Sequence, residues 1–151
     1  PQKRDIPPCP GTVFIGNNGK PMVSDCYFNI SHSHGLVACA VSDVPVGIDV
    51  EKIRPVPPRL MDILSPQERE SVRGDADCFR RWTLKEALIK CRGGGLGQIR
   101  HVHFDLSGSA IICSVPDYSF SLLPAPAGYA AALCWENIEE ATESEEQNEH
   151  F

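Results

Sequence analysis

Val46-Gly47-Ile48-Asp49-Val50-Glu51 (VGIDVE, 46–51) alternates apolar residues with a glycine and two carboxylates. That alternation predicts a half-buried strand. Side chains at i and i+2 share a face, so Val46, Ile48 and Val50 are expected on the core face. Gly47, Asp49 and Glu51 then share the other. Two carboxylates there stand about 7 Å apart by strand rise and repel each other. Water screens such a pair on a wet surface; a cation site neutralises it. The strand alone leaves both readings open.

Working outward, Asp43-Val44-Pro45 reads as a turn that pairs VGIDVE with the apolar GLVACAVS (35–42) as a hairpin. Before them, VFI (13–15) and YFNIS (27–31) read as strands around the turn signal Asn17-Asn18-Gly19. After them, three prolines in IRPVPPRL (53–60) break the sheet, and one helical turn is expected to follow, to Leu64. Ser65-Pro66-Gln67-Glu68 has the form of a capping box with Pro at the first helical position. Asp75 or Asp77 is expected to cap a longer helix, CFRRWTLKEALIKC (78–91), stopped after Arg92 by Gly93-Gly94-Gly95. HVHFDL (101–106), AIICSV (110–115), YSFSLL (118–123) and YAAALCW (129–135) read as further strands. The expected fold class is α+β, an antiparallel sheet packed against one long helix.

The chain has 151 residues, enough for one domain with a proper core. Residues 1–12 read as a Pro-rich irregular arm, 13–135 as the domain, and 136–151 as an acidic, disordered tail. The last 16 residues hold seven of the 20 acidic side chains and no Lys or Arg, leaving 13 acidic against 14 basic in the body. Nucleic-acid binding is not expected. No apolar run approaches the length of a membrane span. The chain opens on Pro1, as a processed or excised piece would, and its first residues lack a basic-then-apolar pattern, so secretion is not expected. Seven cysteines, an odd count without a CxxC, suggest reduced thiols in a cytoplasmic protein.

On the long helix, Phe79, Trp82, Glu86 and Ile89 fall near one face, with Lys90 one turn after Glu86. Glu86–Lys90 at i,i+4 is an ordinary helix-stabilising pair, and Lys85 and Arg92 read as solvated. Glu86, however, shares its face with aromatics that should meet the sheet, where a carboxylate must be paired or metal-bound. If the helix crosses VGIDVE, then Asp49, Glu51 and Glu86 converge. Three acids beside a lysine suit a hard divalent cation and a phosphate-bearing substrate. FNISHSH (28–34) adds Ser31, His32 and Ser33 at a strand end, able to contact phosphate oxygens or simply to close a turn.

GKP (19–21), FNISHS (28–33), VGIDVE (46–51) and FRRWTLKEALIKCRGGGL (79–96) follow in the order and spacing of the 4′-phosphopantetheinyl transferases. The chain resembles the surfactin-synthetase-activating type from about Gly16 to Trp135. The resemblance implies Mg²⁺-dependent transfer of phosphopantetheine from coenzyme A to a serine of an acyl, peptidyl or aryl carrier protein, with release of 3′,5′-ADP. It places Asp49, Glu51 and Glu86 on the magnesium site. Lys20, Ser31, His32 and Lys90 fall on coenzyme A contacts, and Glu86, Lys90 and His32 on the catalytic groups. Lys85 matches a motif lysine of secondary role. Surfactin-type members are built of two similar halves, so the first half is expected to be incomplete. This leaves open a homo-oligomer that completes the sheet, or a non-catalytic module that binds coenzyme A or carrier protein.

Overall fold

The computed structural model describes residues 13–15, 19, 21–23 and 26–138, with side-chain detail from Cys26 onward and at Ile15. Strands β1 (Val13–Ile15) and β2 (Pro21–Val23) pair antiparallel. So do β3 (Tyr27–Ser33) and β4 (Leu36–Ser42). Strand β5 (Val46–Lys52) leads into the short helices α1 (Pro58–Met61) and α2 (Pro66–Ser71), then the long α3 (Gly74–Arg92) and short α4 (Leu96–Ile99). Strands β6 (Phe104–Asp105) and β7 (Ile112–Cys113) form a small hairpin. Strands β8 (Tyr118–Leu122) and β9 (Tyr129–Glu136) complete an antiparallel sheet of order β5-β9-β8. The fold is α+β, as expected.

Helix α3 lies on one face of that sheet. Leu84, Ala87, Leu88 and Cys91 pack with Val102, Phe104, Ala132 and Cys134. A second cluster joins Cys78 and Phe79 to Leu60, Leu64 and Ala130. Small residues on β9 let the helix approach closely. In register, Gly47 lies opposite Cys134, Asp49 opposite Ala132 and Glu51 opposite Ala130. Directly opposed residues share a face, so the Gly47/Asp49/Glu51 face is the one α3 covers. The half-buried strand is thereby corrected. Val46, Ile48 and Val50 are buried on the other face, but Gly47 and Asp49 are buried too, because α3 takes the side expected to be wet.

The expected hairpin between GLVACAVS and VGIDVE is also corrected. Strand β4 pairs with β3 across His34-Gly35, both with positive φ, the backbone that a two-residue hairpin turn demands. The free edge of β5 is instead met by side chains of β3. Ile48 N donates to Asn29 Oδ1 (2.9 Å), Val50 N to Ser31 Oγ (3.1 Å) and Lys52 N to Ser33 Oγ (3.0 Å). Alternate residues of one strand thus satisfy alternate amides of the next, replacing a backbone ladder.

The capping box at α2 forms as read. Glu68 N donates to Ser65 Oγ, and Ser65 N donates to Glu68 Oε2 at 2.8 Å. The expected cap of α3 differs. The helix begins four residues before Cys78, with Arg73 at its N-cap. Asp75 and Asp77 sit within its first turn, accepting from Val56 N and Arg73 N. The Gly93 stop holds, with φ 78°. β6 and β7 are each two residues long, much shorter than the runs that suggested them. Cys26 is disulfide-bonded, contrary to the all-thiol expectation. An odd count excludes complete pairing, not a single bond. Cys39, Cys78, Cys91, Cys113 and Cys134 are not in disulfides. Glu136, the first residue of the expected tail, closes β9; residues 139–151 and the arm, 1–12, lie outside the described residues. Among the described residues, no helix is long and apolar enough to cross a membrane.

Candidate active site

The crossing of α3 over β5 brings Asp49, Glu51, Glu86 and Lys90 together. Strand β5 supplies the first two at i and i+2, and α3 supplies the others at i and i+4. Lys90 Nζ lies 2.9 Å from Asp49 Oδ1 and donates to Ile48 O at 3.0 Å. Ser31 Oγ donates to the same Asp49 oxygen at 3.2 Å while accepting from Val50 N. Asp49 Oδ2 is buried without a hydrogen-bond partner among the described residues. Burial pushes the Asp49 carboxyl up to about 6, although Lys90 pulls it down. Desolvation therefore outweighs an ion pair whose lysine is partly in water.

The Glu86 side chain is half-buried and forms no hydrogen bond or ion pair with a described residue. Burial, then the charges of Asp49 and Glu51, raise its pKa to about 7 against the pull of Lys90. Glu51 is held differently. Trp82 Nε1 donates to its Oε1 and Arg54 Nη1 to its Oε2, each at 3.2 Å. Arg54 in turn stacks over the Phe79 ring, 4.8 Å from its centroid.

The acids do not close into a metal-binding group of three or more ligating side chains among the described residues. Their chemistry nevertheless fits a hard cation. Asp49 presents an orphaned buried oxygen, and Glu86 a carboxyl that feels its charge. Asp49 and Glu86 are the residues able to hold such an ion. Each Glu51 oxygen accepts one hydrogen bond, from Trp82 or Arg54, and keeps a second lone pair with which it can reach an ion directly or through water.

The other candidates lie on β3. Ser31 is buried against Asp49, whereas His32 is exposed on the opposite face of the strand. Lys20 lies outside the described residues. Lys85, expected in solvent, is fully buried. Its Nζ lies 2.8 Å from Glu68 Oε2 and donates to Ile99 O at 3.0 Å and to Val102 O. Glu68 Oε1 accepts from Phe104 N at 3.0 Å. The capping box announced Glu68, but nothing local announced its pairing with a lysine 17 positions on.

A family model described as ACPS, 4'-phosphopantetheinyl transferase superfamily, matches residues 45–141. The chain is 41% identical over 93 residues to the 4'-phosphopantetheinyl transferase psf-1 of Bacillus pumilus, a match covering 52% of this chain and 38% of that one. To the 4'-phosphopantetheinyl transferase Sfp of Bacillus subtilis (strain 168) it is 30% identical over 141 residues, covering 77% of this chain and 59% of Sfp. To the 4'-phosphopantetheinyl transferase AcpT of Escherichia coli (strain K12) it is 32% identical over 134 residues, covering 78% and 67%. A solved structure described as the Chronobacterium ammoniagenes ACPS-CoA complex aligns with TM-score 0.47 and 22% identity, over 64% of this chain and 98% of that one. The chain thus spans well under half the length of psf-1 and about three fifths of Sfp.

Proposed function

This chain belongs to the 4′-phosphopantetheinyl transferase superfamily, and on that premise we propose that it moves the 4′-phosphopantetheine group of coenzyme A onto a serine hydroxyl of an acyl, peptidyl or aryl carrier protein, releasing 3′,5′-ADP. The observation that carries this reading is the meeting of Asp49, Glu86 and Lys90 where α3 crosses β5.

The serine oxygen attacks the phosphorus that bears pantetheine, its bond to the bridging oxygen breaks, and 3′,5′-ADP leaves with the electron pair. Glu86 accepts the serine proton. Before any cation binds, burial raises this carboxyl to about 7, making it more basic than a surface carboxylate; a bound magnesium ion would lower it. Lys90 sits beside Asp49 with its side chain partly exposed, placed to meet phosphate oxygens as charge develops on them. His32, exposed on β3, is assigned to a terminal phosphate oxygen, and Lys20 to coenzyme A. Ser31, assigned to coenzyme A as well, gives its one O–H to Asp49 and accepts from Val50 N, so it reaches a phosphate oxygen only by turning its O–H away from Asp49. A magnesium ion held by Asp49 and Glu86, with Glu51 directly or through water, would draw charge from the pyrophosphate. The reading puts the protein in the cytoplasm; the Cys26 disulfide is the feature that accords least with a reducing compartment.

The test is release of 3′,5′-ADP from coenzyme A and Mg²⁺, followed by chromatography with and without an apo carrier protein. We expect release that depends on the carrier. Equal release without a carrier would mark a pyrophosphate hydrolase instead. The alternative is a module that binds coenzyme A or carrier without turnover. Titration calorimetry separates the two, because a module would bind coenzyme A equally well without Mg²⁺.

A further inference from the structure

We propose that Gly47 is a positioning residue, setting the spacing between β5 and α3 that brings Glu86 and Lys90 to Asp49. Gly47 is not among the residues with positive φ, so its backbone conformation does not call for glycine. Space does. A Cβ at this position would stand 2.1 Å from Ala87 O and 2.6 Å from Cys91 N. Both are backbone atoms of α3, so trimming a helix side chain cannot relieve the clash; only lifting the helix can. The two contacted residues follow Glu86 and Lys90 directly in sequence. Gly47 itself precedes Asp49 by two and shares its face of β5, with Cys134 directly opposite. The helix therefore touches the strand at the turn that carries the site. A helix lifted here draws Lys90 away from Asp49 Oδ1 and Ile48 O, which it now meets at 2.9 and 3.0 Å.

The catalytic consequence rests on the transferase reading; the spacing does not, and the experiment reads the two apart. Trp82 and Trp135 are the only tryptophans. A Trp135→Phe background leaves Trp82, whose indole N–H is bonded to Glu51 across the α3–β5 interface, as the reporter. Adding Gly47→Ala should shift its emission to the red with the far-ultraviolet circular dichroism preserved. In the transfer assay kcat should fall about a hundredfold, the scale of an ångström-sized misplacement. KM for the carrier should stay within about threefold. Unchanged emission and unchanged kcat would overturn the inference. Loss of the folded circular dichroism would leave the spacing to be read on a chain that folds. In that event hydrogen exchange of the unaltered chain gives a second reading. The amides of residues 87 and 91 should exchange far more slowly than that of Arg80, which lies inside α3 on its exposed side, and equal rates would again refute the close seat. An emission shift in a chain that shows no transfer would uphold the spacing and remove the transferase reading.

Discussion

Asp49 and Glu86 carry opposite demands of stability and chemistry. Both have folded-state pKa values above those of an unfolded chain, about 6 and about 7, mainly through burial. The folded protein therefore holds protons that the unfolded chain releases. Their contribution to stability is most favourable below pH 4 and is lost as pH rises through 6 to 7. Without metal, the melting temperature should fall between pH 5 and pH 8, and saturating Mg²⁺ should flatten that fall; a slope unaffected by Mg²⁺ would contradict the cation assignment. Glu86→Gln should stabilise the metal-free fold at pH 8 by about 1 kcal/mol, after allowance for its partial exposure, while removing most transfer activity. Urea melts and rates on the same preparation check both halves. At this scale much was legible. The two-residue spacing of Asp49 and Glu51, and the four-residue spacing of Glu86 and Lys90, fix which side chains share a face. What spacing does not reveal is solvent. Lys85 reads as solvated because lysines usually are, and only the approach of Ile99, Val102 and Glu68 makes a buried ammonium tenable.

Among the elements, α3 is held by charge as well as by its apolar core. The Lys85 ammonium directs its three hydrogens to Glu68, Ile99 O and Val102 O, and Glu68 also receives Ser65 N and Phe104 N. This hub ties the start of α2 to α3 and to the chain between α4 and β6. Lys85→Met alone leaves a carboxylate buried without its partner and should cost about 3–5 kcal/mol. Pairing it with Glu68→Gln should recover much of that loss, since no lone charge remains. Equilibrium urea unfolding of the three variants measures the recovery; additive losses would mean that the two side chains do not act as a pair. The capping box and the glycine stop were readable because their signals lie within a few residues. The partner of β5 was not. A short connection from β4 suggested a hairpin, but β9 supplied the backbone ladder, and Asn29, Ser31 and Ser33 supplied acceptors at the other edge.

For the whole molecule, those three acceptors are the main polar seam between the β3–β4 hairpin and the central sheet. Each hydrogen bond is worth about 1 kcal/mol. Ser33→Ala removes one without touching Asp49, so a loss of about that size with little change in transfer is expected. Ser31→Ala should cost activity as well, because its hydroxyl also orients Asp49; equal activities for the two would refute that distinction. The α+β class and the long helix were written in local periodicity, whereas the burial of both faces of β5 was not. It depends on Ala130, Ala132 and Cys134 from a strand eighty residues away making room for the helix. The central claim is the transfer itself. Its most direct measurement is the intact mass of an apo carrier protein after incubation with coenzyme A, Mg²⁺ and this chain. The account predicts a gain of one phosphopantetheine arm with the native chain and almost none with Glu86→Gln. An unchanged carrier mass where a control transferase succeeds, or full modification by Glu86→Gln, would contradict it.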